Sequence, residues 1–353
     1  MAMRDKTVPI NDVQGLLLGL ERLAPEALDV VRIRYRVLKE ILYNQPIGRR
    51  QIASRVKCSE RTARAEIELL KEKGIVDITP AGIILTGYGV ELLEEIGQVI
   101  PYVEGLGSLA ENLRQRFHLE NVHLVPGDSY TDIYTKKDLG RTAARLVRSL
   151  LFPGCTLAVT GGTTLAEMAC AMTPEPFGEG VLVLPARGGL GEEMEEQANV
   201  IAARIAKAIG ANYRLLHIAD SLNEETIQLL IGNPGVAEIL DQLKKCDILV
   251  HGIGSAKEMA CRRGLPDEAL MIMEGKKAVG EAFRYYFNQM GEIVYCLPGI
   301  GLEFEDLRSI PRVVAVAGGS NKARAIESVL SSHPGGILVT DEGAARAILE
   351  RGC

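Results

Sequence analysis

The sequence predicts a mixed α/β protein in two parts, a small basic helical module followed by a larger domain built on a parallel sheet. Three observations predict it: the distribution of charge, the apolar spacing in the first 90 residues, and a series of short β-prone runs beyond about residue 110. The 353 residues suffice for two or three domains with cores of their own, and 47% hydrophobic with 24% charged residues suits an ordinary globular chain. Apolar stretches such as Leu16–Leu18 and Ile248–Val250 fall far short of a bilayer span, and no secretory leader opens the chain, so a cytoplasmic protein with no membrane partner is expected. Seven cysteines, widely spread and without a Cys-x-x-Cys pair, suit reduced thiols. The five histidines show no metal-ligand spacing, so no metal site is expected.

The net charge of −6 argues mildly against nucleic acid until it is divided along the chain. Residues 1–100 hold 15 Lys+Arg against 14 Asp+Glu, and residues 101–353 hold 25 against 32. From Arg32 to Lys73 there are 12 basic residues and five acids, a surplus of +7 in 42 residues. A basic island on an acidic chain is the footprint of a polyanion partner, or else a solvated helical face. Local structure decides between them.

A helix is expected from about Pro25 to Tyr43, with Pro25 in its first turn and Val30, Val37, Leu38 and Ile41 among its apolar positions. Asn44-Gln45-Pro46 stops it. A short helix fits Gly48 to Val56, and Ser59 is a good N-cap for a second helix running to Lys73, with Ala63, Ile67 and Leu70 inward. Ile75–Thr79 and Ile83–Thr86 flank Pro80-Ala81-Gly82 as a hairpin. This is the layout of a winged helix-turn-helix, whose second motif helix enters the major groove of double-stranded DNA. Ser59, Arg61, Thr62 and Arg64 then sit on or beside the recognition turn, and Arg61 and Arg64 can each offer a guanidinium fork to guanine. Arg49 and Arg50, with Arg55 and Lys57, would neutralise phosphates. A three-helix packing module with surface arginines is the competing reading.

The expected domains are a DNA-binding module with an N-terminal extension over 1–90, a linker helix over 91–110, and a larger domain over 111–353, to which the resemblance described below assigns sugar-phosphate effector binding and oligomerisation. Leu92, Leu93, Ile96, Val99, Ile100 and Val103 continue an amphipathic pattern, interrupted by Gly97, Pro101, Gly105 and Gly107. Beyond it, β-prone runs occur at 122–125, 156–160, 181–184, 213–218, 248–251, 293–296, 313–316 and 337–340, most of them separated by helix-length segments. That alternation predicts an open, largely parallel, Rossmann-like sheet with helices on both faces and ligands at the carboxyl ends of its strands.

Several of those ends are glycine-rich. Thr160-Gly161-Gly162-Thr163-Thr164 opens a helix, Arg187-Gly188-Gly189 adds a guanidinium, His251-Gly252-Ile253-Gly254 closes another strand, and Gly318-Gly319-Ser320-Asn321-Lys322 brings a lysine to a helix start. Glycines let amides approach an anion, and Arg, Lys and Thr side chains complete a phosphate site. A Walker motif is missing, and Lys257 stands where a dinucleotide fingerprint needs its third glycine, so no nucleotide cofactor is expected.

At this point the chain resembles the SorC family of bacterial sugar-responsive repressors, through Gln45–Arg50, Thr160–Thr164, Pro185–Gly189, Gly252–Gly254, Pro298–Gly301 and Gly318–Lys322. The resemblance implies a repressor of a glycolytic operon. Its effector would be fructose 1,6-bisphosphate, its active form a homodimer or homotetramer on operator DNA, and its effector domain akin to sugar-phosphate isomerases and deaminases. By motif it places Gly161, Gly162, Thr163, Thr164, Arg187 and Lys322 around the first phosphate. Gln197, Arg262 and Glu281 fall at the other end of the ligand, Glu281 on sugar hydroxyls. Arg263 is a rival to Arg262, and composition does not choose. An isomerase-like enzyme is the alternative, with Asp220, Glu281 or His251 as acid and base. Against it stand the fused helical module and the lack of the acidic Asp-Gly-Ala-Asp-Glu stretch of the isomerase relatives.

Overall fold

A computed structural model of the chain describes residues 10–177, 180–189, 194–218, 223–333 and 335–352. The chain divides into two compact units, Met1–Ser108 and Leu109–Cys353. Among the described residues no helix is long and apolar enough to cross a membrane.

In the first unit, α1 (Ile10–Leu23) packs on α2 (Pro25–Asn44), which starts on Pro25 and buries Leu28, Val37, Leu38 and Ile41. α3 (Arg49–Val56) ends on Lys57 in the left-handed region (φ 57°), and α4 (Glu60–Glu72) follows with Ser59 as its cap. β1 (Val76–Thr79) and β2 (Gly82–Leu85) form an antiparallel hairpin. The hairpin is held to the helices by Ile47, which exchanges backbone bonds of 3.1 and 2.9 Å with Ile83. Gly82 is required there: its φ is 143°, and a Cβ would lie 2.9 Å from the Ile47 nitrogen. Ile41, Ile52, Ile67, Leu70 and Ile83 close the core.

α5 (Gly87–Val103) is one continuous helix rather than the interrupted linker expected from Gly97 and Pro101. Proline removes a single backbone bond, and burial of Leu93, Ile100 and Val103 on the same helix outweighs that loss. It begins within the first unit and packs on α2, so no separate linker helix starts at residue 91.

α6 (Gly107–Arg116) leads to the second unit, whose seven-stranded sheet is parallel throughout. Its first strands and helices are β3 (Asn121–Val125), α7 (Ile133–Leu150), β4 (Thr156–Val159), α8 (Thr163–Cys170), β5 (Leu182–Pro185), α9 (Ala198–Ile209) and β6 (Asn212–Tyr213). α10 (Glu224–Ile231), α11 (Pro234–Lys244) and β7 (Ile248–Gly252) follow. An antiparallel layer is then inserted: β8 (Gly254–Ser255), α12 (Ala256–Arg262), α13 (Asp267–Gly275), β9 (Ala278–Ala282), β10 (Tyr285–Asn288) and β11 (Ile293–Cys296). The chain returns through β12 (Arg312–Val316), α14 (Ala323–Ser332), β13 (Ile337–Asp341) and α15 (Glu342–Leu349). The strand order is β3-β13-β12-β7-β4-β5-β6. From β4 the chain moves to β5 on one side, and from β7 to β12 on the other. The topological switch point, where such sheets bind ligands, therefore lies between β4 and β7.

Two expected strands differ. Of 213–218 only Tyr213 is in a strand, because Asn199 takes over Leu216, accepting its N–H at 2.9 Å and donating to its carbonyl at 3.1 Å. Residues 293–296 pair antiparallel with β10 in the inserted layer, not in the parallel sheet.

At the crossing of α7 and α8, a Cβ on Gly140 would lie 2.7 Å from the Glu167 carbonyl carbon and 2.8 Å from the Met168 nitrogen. Alanine would gain about 1 kcal/mol of helix propensity. Overpacking against fixed backbone costs about 1–3 kcal/mol, so Gly140→Ala is expected to lower stability by up to roughly 2 kcal/mol. Urea unfolding checks this, and a stabilised variant would refute it.

On β7, His251 is buried and stacks on Phe283 with ring centroids 4.8 Å apart. Burial pushes its pKa down to about 4, aided by His333 and opposed by a bond to the Gly252 carbonyl. A depressed histidine leaves the unfolded chain binding the extra proton, so stability is full above pH 6.5 and is lost as pH falls towards 4. The loss attributable to His251 is about 3 kcal/mol. Thermal melts between pH 7.5 and 4 should show a shallower acid limb in His251→Gln. The limb should not vanish, because burial and Arg308 lower His333 as well.

Candidate functional site

The carboxyl ends of β4, β5, β7 and β12 surround a cleft, where open parallel sheets bind ligands. Its lining includes Gly161, Gly162, Thr163, Thr164, Arg187, Arg262, Glu281 and Lys322. Residues more than 150 positions apart in the sequence are thus brought to one place by the order of the strands. Gly162 adopts φ 124° at the start of α8, and Thr163 and Thr164 form the first helical positions. The Thr160 hydroxyl accepts the Gly252 N–H at 3.1 Å and so joins the ends of β4 and β7.

Each cation is presented differently. Arg187 is buried, and its guanidinium donates to the Phe283 carbonyl at the β9–β10 turn. Arg262, at the end of α12, pairs with Glu196 at 3.0 Å. Lys322 closes a 3-10 turn, Ser320–Lys322, that leads into α14. Burial pulls the Lys322 pKa below the usual lysine value, with Lys136 and Arg262 adding repulsion and Glu258 and Asp341 opposing. A partly desolvated cation of this kind gains from an anion that stabilises its charged form.

The Lys322 turn is held by two aspartates. Asp341 accepts the N–H groups of Gly319 at 2.8 Å, Ser129 at 2.9 Å and Ala344 at 2.8 Å. Asp128 accepts the Ser320 N–H at 3.0 Å and its hydroxyl at 2.6 Å. Neither residue is flagged by the glycine-rich motif itself. Asp341 could have been found as an Asp at a strand-to-helix boundary.

Arg262 and Arg263 are separated by the fold. Arg263 turns behind the cleft, where it donates to Glu281 at 2.9 Å and the Tyr286 hydroxyl at 3.0 Å. Its side chain is 4% exposed and that of Glu281 6%, while Arg262 is 39% exposed and lines the cleft. Gln197 does not line the cleft. It precedes α9 as that helix's N-cap residue, and its Oε1 comes within 3.9 Å of a Cβ built on Gly189, in the Arg187–Gly189 stretch. Glu258 and Met259, on the first turns of α12, are lining residues that sequence reasoning missed.

Among the described residues, the groups weighed for acid–base chemistry are not assembled. His251 lies outside the cleft lining, Glu281 is held by Arg263, and Asp220 lies outside the described residues.

In the first unit, Ser59 Oγ accepts the Thr62 N–H at 3.0 Å and lies 2.8 Å from the Thr62 hydroxyl. These two residues shape the start of α4, leaving their hydroxyls engaged with each other. Arg49, Arg50, Arg61 and Arg64 are all exposed. Arg50 faces Glu60 at 3.7 Å and Arg64 pairs with Glu68 at 2.9 Å. An exposed pair is worth at most about 1 kcal/mol, less than the roughly 1–3 kcal/mol of a bidentate guanine contact, so Arg64 can exchange partners. Arg34 and Arg55 instead pair inside the module with Glu66 at 2.6 Å and Glu40 at 3.7 Å.

Residues 102–350 match the Sugar-bind family, a sugar-binding domain, and residues 30–100 match the CggR N-terminal DNA binding domain. The chain is 43% identical to the Central glycolytic genes regulator of Priestia megaterium, over 96% of this chain and 99% of that protein. It is 40% identical to the Bacillus subtilis protein of the same name, over 95% and 98%. Among solved structures, a SorC family transcriptional regulator from Enterococcus faecalis matches with a TM-score of 0.64 at 38% identity, covering 69% of this chain and 99% of that one. The full-length sorbitol operon regulator SorC from Klebsiella pneumoniae shares the fold, with a TM-score of 0.65 at 20% identity over 90% and 98% of the two chains. The chain belongs to the SorC family of transcriptional regulators, with a DNA-binding domain ahead of a sugar-binding domain, and is a regulator rather than an enzyme.

Proposed function

We propose that the protein represses glycolytic genes by binding operator DNA as a homodimer or homotetramer, and that fructose 1,6-bisphosphate releases it. One observation carries this reading: Thr163, Thr164, Arg187 and Lys322 from the parallel sheet share a cleft with Arg262 and Glu281 from the inserted layer. The first set supplies helix-start amides, hydroxyls and cations for one phosphate. Arg262 supplies a cation for a second, and the Glu281 carboxylate can accept bonds from sugar hydroxyls. The names of the relatives support the choice of genes. The helical module acts as a winged helix-turn-helix, with the first turn of α4 in the major groove. Effector binding shifts the population towards a form that cannot span the operator half-sites, so DNA affinity falls.

Fructose 1,6-bisphosphate is expected to raise the melting temperature more than fructose 6-phosphate does, and to dissociate operator complexes. Lys322→Ala should weaken the bisphosphate roughly 10- to 100-fold while leaving operator binding intact. The phosphate favours the charged ammonium, so wild-type affinity is full while Lys322 is protonated and falls as pH rises through its lowered pKa. That alkaline fall, followed by calorimetry, should be absent in Lys322→Ala. Equal responses to mono- and bisphosphates would overturn the choice of effector.

For the DNA, Arg61→Ala is expected to cost about 1–3 kcal/mol at particular operator positions and to relax base preference there. Competition binding with single-base operator variants checks this. Uniform weakening across all sequences would make Arg61 a phosphate contact instead.

A further inference from the structure

One cation that lines the cleft, Arg262, is already engaged by an anion from beside the lining. Glu196 ends the 3-10 turn Met194–Glu196 and engages groups from both layers around the cleft. Its carboxylate pairs with Arg262, from the inserted layer, at 3.0 Å. Its backbone carbonyl accepts the Gly162 N–H at 2.8 Å, at the start of α8 in the parallel-sheet layer. The Glu196 side chain is only 16% exposed, so the pair is shielded from water and salt more than a surface bridge would be.

We infer that Glu196 is an internal competitor for Arg262 that sets the selectivity of the cleft for bisphosphates. This inference rests on the sugar-phosphate reading of the cleft. A monophosphate held by Thr163, Thr164, Arg187 and Lys322 leaves the Glu196–Arg262 pair intact and neither gains nor loses by it. A second phosphate must take Arg262 from Glu196, and a dianion with three acceptor oxygens can do so where a sugar hydroxyl cannot. Displacement also leaves a largely buried carboxylate without its partner, which subtracts from the affinity of the second phosphate. The pair therefore holds Arg262 in place in the free protein and raises the charge that a ligand needs to claim it. Specificity of this kind comes from an opposing interaction rather than an added contact.

The test is Glu196→Gln in the full chain, which keeps the backbone acceptor and the side-chain size and removes the charge. Calorimetric titrations use fructose 1,6-bisphosphate, fructose 6-phosphate and pyrophosphate, with the unliganded melting temperature as a check of folding. The variant is expected to bind the bisphosphate roughly five- to twentyfold more tightly, with fructose 6-phosphate unchanged. In an Arg262→Ala background most of that gain should disappear. A role confined to structure would move both sugars together. Equal or weaker bisphosphate binding by Glu196→Gln overturns the inference. If the bisphosphate binds neither protein but pyrophosphate still binds the variant more tightly, the effector reading fails and the competitor stands. If no anion binds either protein, both fail.

Discussion

The geometry of the effector cleft depends on one buried carboxylate. Asp341 has no exposed surface and accepts three backbone N–H groups, from the loop after β3, from the loop after β12 and from the start of α15. Withdrawing a carboxylate from water costs several kcal/mol, and three charge-assisted bonds at 2.8–2.9 Å offset part of that here. Burial nevertheless pushes its pKa up, which identifies desolvation as the stronger effect. The bonds fix Gly319 and hence the turn that ends in Lys322. Gly318 must be glycine in this arrangement, since a Cβ would lie 2.4 Å from the Asp341 carboxylate. Asp128 repeats the device on Ser320, so the lysine is aimed by two anions that it does not itself pair with.

This division of labour explains why the cations of the cleft differ in character. Lys322 is carried by a rigid turn and partly stripped of water, with no ion pair of its own among the described residues. Arg187 is anchored to the Phe283 carbonyl, where Phe283 takes the left-handed conformation (φ 63°) that a bulky residue rarely adopts. Arg262 is held by a carboxylate. A ligand therefore meets a preformed cationic wall on the parallel sheet and a guanidinium already engaged on the inserted layer. Preorganisation of the first set reduces the entropy lost on binding, while the second imposes selectivity.

Much of this was legible in the sequence wherever local chemistry decides the structure. Ser59 as a cap, Pro25 in a first turn and the Gly82 hairpin are set within a few residues, and they stand where the spacing put them. The glycine-rich strand ends were legible for the same reason, and the parallel order of the sheet brought them together. What escaped depends on contacts distant in sequence. β9 and β10 join through Phe283, whose conformation is supported by Arg187 almost a hundred residues earlier. The strand expected to continue past Tyr213 stops because a distant asparagine bonds to Leu216. Arg262 and Arg263 are neighbours in sequence, and only the packing of Arg263 on Glu281 and Tyr286 distinguishes them. Gln197 is the N-cap residue of α9 beside Glu196, whose carboxylate pairs with Arg262 of the cleft lining, a contact that spacing does not show.

Charge follows the same logic. The +7 surplus of the basic island overstates what is available to a partner, because Arg34 and Arg55 pair with Glu66 and Glu40 within the module. Those pairs join α2 to α4 and to α3, so part of the island contributes to the packing of the helices. Among the exposed cations, Arg49, Arg50, Arg61 and Arg64 stand at the starts of α3 and α4. A helix start already carries partial positive charge, and arginines placed there add to the attraction for a phosphate backbone. Position therefore matters more than count. In both units an acidic side chain restrains some cations, and a strand end or helix start presents the others to an anion.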